Sequence, residues 1–361
     1  LMIRRPPRST LDRSSAAADV YKRQPHNYQI VDSADQRRQL VKNLLQQQSF
    51  CFDTETTSLD PRHALPLGIA FCYQPGEAYY VVCPPDRDQA LSVLEQFRPL
   101  WENEQIEKIG HNLKYDLTML KWHGVELRGT LFDTMLAHAM KEPEMKHGLD
   151  YLANLYLGYQ PIPTSDLIGP RGEDQKNMRD VPIDQVAEYA CEDADVTFRI
   201  SQIIRPEIEK REVHQVCYEV ECPLIPGLVD MEYEGIRSDT TAVTQFSSQL
   251  QREIDDLQAS IYAAAGREFN INSPKQLGEI LYDELQLESN PKKTATGQYS
   301  TRESELLRLA TRHEIVRDVL DYRNAVKLKT TYVDQLPEAV NPDTCLLYTS
   351  DAADERSSVD L

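Results

Sequence analysis

Four carboxylates, Asp53, Glu55, Asp116 and Asp193, and one phenol, Tyr189, stand out in three short segments far apart in this chain. The segments are Phe52-Asp53-Thr54-Glu55-Thr56, Asn112-Leu113-Lys114-Tyr115-Asp116 and Tyr189-Ala190-Cys191-Glu192-Asp193. Asp53 and Glu55, at i and i+2 at the end of a strand-like run, can face one side. Asp116 falls in the first turn of a helix that follows the short strand Lys108-Ile109-Gly110-His111. Tyr189 and Asp193, at i and i+4, share a helix face. A fold that uses them together must bring a strand end, a helix start and a late helix face to one point. Converging carboxylates without a cation would repel and raise each other's pKa values. Two Mg²⁺ or Mn²⁺ ions roughly 4 Å apart would make them ligands, as phosphodiester hydrolysis by paired metals requires. Tyr189, with an ordinary pKa near 10, suits a positioning donor better than a base. Each segment alone has a plainer reading: a solvated strand end, a first-turn acid favoured by the helix dipole, an amphipathic pair. Their conjunction carries the argument.

Both ends are set aside first. Asp19-Val20-Tyr21-Lys22-Arg23-Gln24 can be written as a DNA sequence whose reverse complement, read one base out of register, encodes Cys-Leu-Leu-Tyr-Thr-Ser, which stands at Cys345 to Ser350. Ser14-Ser15-Ala16-Ala17 and Asp351-Ala352-Ala353-Asp354 continue the relation. The match resembles a transposon-library sequencing adapter. Residues 1–24 and 345–361 are therefore expected to be adapter-derived, and Pro25 to Thr344 to be a gene fragment open at both ends. The Arg- and Ser-rich start, which imitates a transit peptide, then says nothing about targeting.

The two ends hold seven of the 39 Lys and Arg and six of the 58 Asp and Glu, so the remainder carries 32 basic and 52 acidic residues. That balance excludes wholesale electrostatic attraction to nucleic acid; a nucleic-acid enzyme built this way must cluster its bases and offset its acids with cations. The cysteines lack a CxxC zinc pattern and read as reduced thiols of a cytoplasmic protein. No apolar run approaches the roughly 20 residues of a membrane helix. About 320 residues suggest two domains.

The pattern from Gln48 to Val82 is strand-like, with Ser49–Phe52, Leu67–Tyr73 and Ala78–Val82 as strands and Gln74-Pro75-Gly76 as a turn. A helix is expected over Asp86–Leu100 and another over Ile183–Glu212, with a surface loop from Gly158 to Pro182. This is an α/β domain with a mixed sheet. From about Glu219 the pattern turns all-helical. Val243, Phe246, Leu250, Ile254, Leu257 and Ile261 form one face, with Gly266 as stop. Ser273-Pro274 opens a second helix and Ser300-Thr301-Arg302-Glu303 reads as a capping box opening a third. A long fourth is expected from Ile315 to Leu336, stopped by Pro337.

In detail the three acidic segments resemble the proofreading 3′→5′ exonuclease domains of family A DNA polymerases, in the group named for four acids and a tyrosine. The resemblance implies a ribonuclease H-like fold over residues 25–215. It implies Asp53, Glu55, Asp116 and Asp193 as ligands of two divalent ions, and Tyr189 as the fifth catalytic residue. Thr54, Leu59 and Asn112 become contacts to the terminal nucleotides of a single-stranded DNA 3′ end. His111 stands where glutamine is expected. Glu221-Cys222-Pro223-Leu224, Glu234-Gly235-Ile236, Phe269 to Leu277 and Tyr322 to Tyr332 are similar to the thumb of the same polymerases, implying an all-α thumb-like subdomain over residues 216–344 that grips duplex DNA. Lys292, Lys293, Lys327 and Lys329 are its candidate DNA contacts, although each taken alone reads better as a solvated charge. The family continues past this point into palm and fingers, so the polypeptide is expected to degrade DNA 3′ ends as a cytoplasmic, nucleoid-associated monomer and not to polymerise. Two other readings remain: a ribonuclease D-like RNA exonuclease, disfavoured by the thumb-like half, and an editing-dead DNA-binding scaffold, disfavoured by the intact acids.

Overall fold

The computed structural model describes residues 26–348 apart from 171, 173, 174 and 295. The ends expected to be foreign therefore lie outside the described residues except for Cys345–Tyr348. The chain divides into two compact units, through Glu234 and from Gly235 onward.

In the first unit, the apolar run after Gln48 forms β2 (Ser49–Thr56), longer than its hydrophobic part because the acids extend it. It pairs antiparallel with β3 (Pro66–Gln74), which pairs antiparallel with β4 (Glu77–Val82). On the other side of β2 lie β5 (Glu107–Gly110) and then β6 (Leu131–Asp133), both parallel. An outer strand, β1 (Asn27–Val31), runs parallel to β4 and completes the six-stranded mixed sheet in the order β1-β4-β3-β2-β5-β6. Sequence patterning did not indicate β1 or the helix after it, α1 (Ala34–Leu44), whose Ser33 and Gln36 form a capping box.

One sheet face buries Phe50, Phe52, Phe71, Phe97 and Trp101. Phe71 stacks on Phe97 at 5.2 Å and Phe52 meets Trp101 edge-on at 5.1 Å. Burial contributes on the order of 2 kcal/mol per such side chain, which fixes where β2 ends relative to the sheet. The helix expected over Asp86–Leu100 breaks at Phe97: α2 spans Arg87–Gln96, and a single turn, Arg98–Trp101, follows. The 28-residue α5 (Ile183–Lys210) crosses β2, β3 and β4. Between β5 and α5 lie α3 (Leu113–Trp122) and α4 (Thr134–Lys141). The segment 158–182 is mostly irregular, as expected, with one helical turn at Thr164–Ile168 and a 3₁₀ turn at Met178–Asp180.

The change of unit falls at 234/235, not at the 215/216 drawn from sequence. The cause is α6 (Cys222–Glu234), which packs on α3: Lys114 Nζ meets Glu232 Oε1 at 2.8 Å, Lys121 pairs with Asp230, and Trp122 lies 4.6 Å from the Tyr233 ring.

The second unit is helical save for a two-residue ladder between β7 (Ile236–Arg237) and β8 (Leu346–Leu347). Its α7 (Thr240–Ala265) ends, as expected, on Gly266 at φ 74°, and Ser273 caps a short helix whose first residue is Pro274. The capping box expected at Ser300–Glu303 does not form. Its helix, α8 (Glu303–Ala310), starts on Arg302 without a side-chain cap. Ser300 and Thr301 are buried before it, the Thr301 carbonyl accepting from Arg323 Nη1 at 2.7 Å. The last long helix, α9, covers only Glu314–Lys327 and loosens into a π-helical stretch, Leu328–Val333. Pro337 does not stop a helix but sits in the first turn of Gln335–Ala339, where its missing N–H has no partner to lose. Ile261, Leu277, Leu306, Val316 and Val319 form the unit's core.

Candidate active site

β2 delivers Asp53 and Glu55 at its end, where Glu55 faces Gly68 of β3 in register. A Cβ at Gly68 would come within 2.3 Å of the Tyr80 ring, so the glycine lets that ring close the floor behind Glu55. Asp116 arrives from the first turn of α3, a helix begun under constraint. Gly110, at the end of β5, has no room for a Cβ, which would lie 2.2 Å from Leu113 Cδ2. Asn112 follows in the left-handed region at φ 61°, which asparagine tolerates better than most residues, and makes no capping bond of its own. The cap comes instead from Asp133 at the end of β6. Its carboxylate accepts from Asn112 N at 3.3 Å and Leu113 N at 2.7 Å, and from Met135 and Leu136 of α4. One buried acid thus caps two helices, and it fixes the helix that carries Asp116.

Asp116 Oδ1 accepts from the backbone N–H of Thr54 at 3.0 Å and from the Thr54 hydroxyl. Tyr189 and Asp193 come from α5, one turn apart on the same helix, and the nearby phenol opposes the rise of Asp193. Thr164 Oγ1, from the turn 158–182, lies 3.0 Å from the Tyr189 oxygen. That turn is tied to α5 by Glu192, which accepts from Tyr159 and, at 2.6 Å, from Ile162 N. The Tyr115 hydroxyl donates to the Ser58 carbonyl at 2.7 Å and meets Thr56 Oγ1. It pins the turn that holds Leu59 outward, 72% exposed.

The electrostatics show that the acids share one neighbourhood. Burial pushes Asp53 up to about 7. Glu55 is raised by burial and then by Asp53, Asp193 and Asp116; Asp116 by burial and then Asp53, with the Thr54 bonds opposing; Asp193 by burial and then Asp53, with the Tyr189 bond opposing. Burial, then Asp193 and Glu55, pushes the Tyr189 phenol far above its ordinary value. Buried carboxylates that raise one another are the donor set that hard divalent cations neutralise. Among the described residues, no three His, Cys, Asp or Glu side chains are arranged as ready ligands; Asp116 Oδ1 is turned to Thr54. The oxygen donors fit such ions in chemistry.

The structure brings Asp53, Glu55, Asp116, Tyr189 and Asp193 together, with Thr54 bonded to Asp116; Asn112 starts α3 and Leu59 lies exposed after β2. The four lysines lie in the second unit: Lys292 pairs with Glu305 at 2.8 Å, Lys329 with Asp334 at 2.7 Å, Lys293 lies over the Tyr299 ring, and Lys327 is exposed. Sequence reasoning missed Tyr115, Asp133, Thr164 and Glu192. Tyr115 and Glu192 lay inside the quoted segments; Asp133 and Thr164 had no local signal.

Two sequence families match. One, described as 3'-5' exonuclease, covers residues 28–209. The other, DNA polymerase family A, covers residues 240–354 and so runs past Thr344 into the stretch set aside as foreign. Among curated proteins, DNA polymerase I of Pseudomonas aeruginosa is 38% identical over 321 residues, covering 86% of this chain and 35% of the relative. DNA polymerase I of Chloroflexus aurantiacus is 36% identical over 336 residues, covering 91% and 35%. The chain therefore spans about a third of the length of these relatives. Among solved structures, the POL domain of Pol1 from M. smegmatis, in complex with DNA primer-template and dNTP, superposes with TM-score 0.72 at 23% identity, covering 89% of this chain and 52% of that one; at that identity it supports the fold. Fold and acids together place the first unit in the class of 3′–5′ exonuclease domains. The chain belongs to the family A DNA polymerases, the DNA polymerase I group. Among the described residues no helix is long and apolar enough to cross a membrane.

Proposed function

We propose that this chain removes nucleotides one at a time from DNA 3′ ends, as the proofreading part of a DNA polymerase. The observation that carries this is the convergence of Asp53 and Glu55 from β2, Asp116 from α3 and Asp193 from α5, close enough that Asp53 raises the other three. These four would hold two Mg²⁺ or Mn²⁺ ions, which when bound supply an activated water and charge stabilisation at the phosphate. The chain's own residues do the rest. Tyr189 is a donor that keeps its proton and, with Thr164 behind it, orients the attacking water. Leu59, exposed after β2, and Asn112, at the start of α3, would contact a terminal base and its sugar. Thr54 holds Asp116 in place. Duplex DNA would be held by the second unit through Lys292, Lys293, Lys327 and Lys329.

Purified chain incubated with a 5′-labelled single strand and Mg²⁺ or Mn²⁺ should release nucleoside 5′-monophosphates from the 3′ end, and EDTA should stop it. Asp53→Ala should cost several orders of magnitude in rate, because the acids act as a unit. Undiminished activity in the Asp53→Ala, Glu55→Ala double variant would remove the assignment; a preference for the matched RNA strand would move it to ribonucleases.

A further inference from the structure

A pair of thiols lies in the first unit outside the acidic site. Cys217 opens a π-helical turn, Cys217–Glu221, and Cys222 follows it as the first residue of α6. The Cys222 backbone N–H bonds to the Cys217 carbonyl, so this wide turn stacks residues i and i+5 directly over one another. An ordinary α-helical turn would leave them on different faces. The two sulfurs are in contact at 3.8 Å, and both residues are buried.

The two thiols are not equivalent. Their contact moves Cys217 up and Cys222 down, with the Asp133 backbone also favouring the Cys222 thiolate. Burial instead pushes up Cys51, Cys72, Cys83 and Cys191. Cys51 and Cys72 even face each other across β2 and β3, yet both are raised, so proximity alone does not make a reactive pair. Cys222 also lines a cavity of about 380 Å³, with Glu104, Thr130, Leu131, Tyr218 and Pro226 among its walls. A cavity that size has ample room for a small peroxide, and would admit considerably larger molecules as well. The thiolate is the form that oxidants attack, and a neighbouring thiol is what turns that attack into a disulfide.

We propose that Cys217 and Cys222 are an oxidisable dithiol, closed to a reversible disulfide by a hydroperoxide that enters through this cavity. The Cys222 thiolate attacks the terminal peroxide oxygen and breaks the O–O bond. Cys222 becomes a sulfenic acid, and hydroxide or alkoxide leaves and takes up a proton. Cys217 sulfur then attacks the Cys222 sulfur, the S–O bond breaks, and the departing oxygen leaves as water with the Cys217 proton. The two thiols together lose two electrons, and the peroxide gains them. An external thiol reverses the closure by exchange.

The test needs no nucleic acid. The folded full chain is treated with hydrogen peroxide, quenched with catalase, denatured in an alkylating agent and digested with trypsin. One tryptic peptide, Glu212–Arg237, contains both cysteines and no other. It should be recovered unalkylated and lighter by two hydrogens, and dithiothreitol before alkylation should restore the alkylated form. Cys51, Cys72, Cys83 and Cys191 should remain alkylated throughout. In Cys217→Ser, Cys222 should be captured by dimedone as the sulfenic acid; in Cys222→Ser, Cys217 should stay a thiol. A fully alkylated Glu212–Arg237 peptide after peroxide, or sulfinic acid on Cys222 with Cys217 still alkylatable, overturns the proposal. The wild-type peptide decides the matter even where a variant fails to fold.

Discussion

Asp116, from α3, accepts the backbone N–H of Thr54, from β2, at 3.0 Å, and the Thr54 hydroxyl bonds the same oxygen. Two elements separated by a sheet crossover are thereby joined inside the acidic site, and the threonine between the two β2 acids becomes a positioning residue for the third. Thr54→Val keeps the backbone bond and the volume but removes the hydroxyl. It should lower the exonuclease rate about tenfold, the scale of one lost hydrogen bond. The melting temperature should stay within a few degrees of the parent. Single-strand digestion and thermal unfolding together check this. A rate equal to the parent's would mean the backbone bond alone positions Asp116.

Tyr189 gives a second outcome. Its phenol is pushed far up by burial and by Asp193 and Glu55, so it stays protonated across the working range and can donate but not abstract. Tyr189→Phe should lower the rate about 10²–10³-fold, as loss of one positioned donor does. The shape of the pH–rate profile should not change. If Tyr189→Phe removed a basic limb from that profile, the tyrosine would be titrating, and its role would be that of an acid or base.

The site was legible in sequence because its residues fall in short segments at helix- and strand-compatible spacings: Asp53 with Glu55, Tyr189 with Asp193. What supports them was not, because it depends on contacts distant in sequence. Asp133 looks like any strand-end acid until α3 and α4 are both seen to start on it. Ser300 to Glu303 has the composition of a capping box, but Arg323 draws Thr301 into the core before the helix begins. The boundary between units was misplaced for the same reason. Nothing local says that the apolar face of Cys222–Glu234 belongs to α3, whereas Lys114–Glu232 and Trp122–Tyr233 make it so. β1 escaped notice although Asn27-Tyr28-Gln29-Ile30 alternates polar with apolar, because a period-2 pattern only four residues long is a weak signal.

Acid should act on the first unit in two opposing senses: the raised site carboxylates gain stability as they take up protons, whereas His138 and the similarly lowered His111 lose it. His138 Nδ1 lies 2.8 Å from His147 Nδ1, and its ring packs edge-on against Tyr151 and Tyr156. Lys141 and Glu142 are the charges beside it, with Lys141 itself paired to Glu207. Burial, then His147 and Lys141, lowers His138 from 6.5 to about 4. Its folded pKa is depressed, so its neutral form stabilises the fold fully above 6.5. That contribution is lost as pH falls from 6.5 toward 4, where the unfolded chain takes up a proton the folded one refuses. The slope is about 1.4 kcal/mol per pH unit for that proton. Denaturant midpoints measured between pH 7 and 4 for the parent and for His138→Gln should diverge as pH falls, the parent losing stability relative to the variant. An unaltered slope in that variant would assign the acid sensitivity to other groups.

The last outcome concerns how an acidic chain holds duplex DNA. Lys292 and Lys329 are already committed to Glu305 and Asp334, so binding a phosphate would cost each of them an ion pair. Lys293 and Lys327 carry no such partner in this structure's ion pairs among the described residues. The double substitution Glu305→Gln, Asp334→Asn should therefore free two lysines, tighten duplex binding at low salt and steepen its salt dependence by roughly 0.9 log units for each further phosphate neutralised. Neutralising all four lysines should do the reverse. Both effects should be absent from digestion of short single strands, which needs only the acidic site of the first unit. Titrations of a labelled duplex at several salt concentrations read the slopes directly. If the freed lysines leave the slope unchanged and the quadruple neutralisation does too, the duplex lies on another surface.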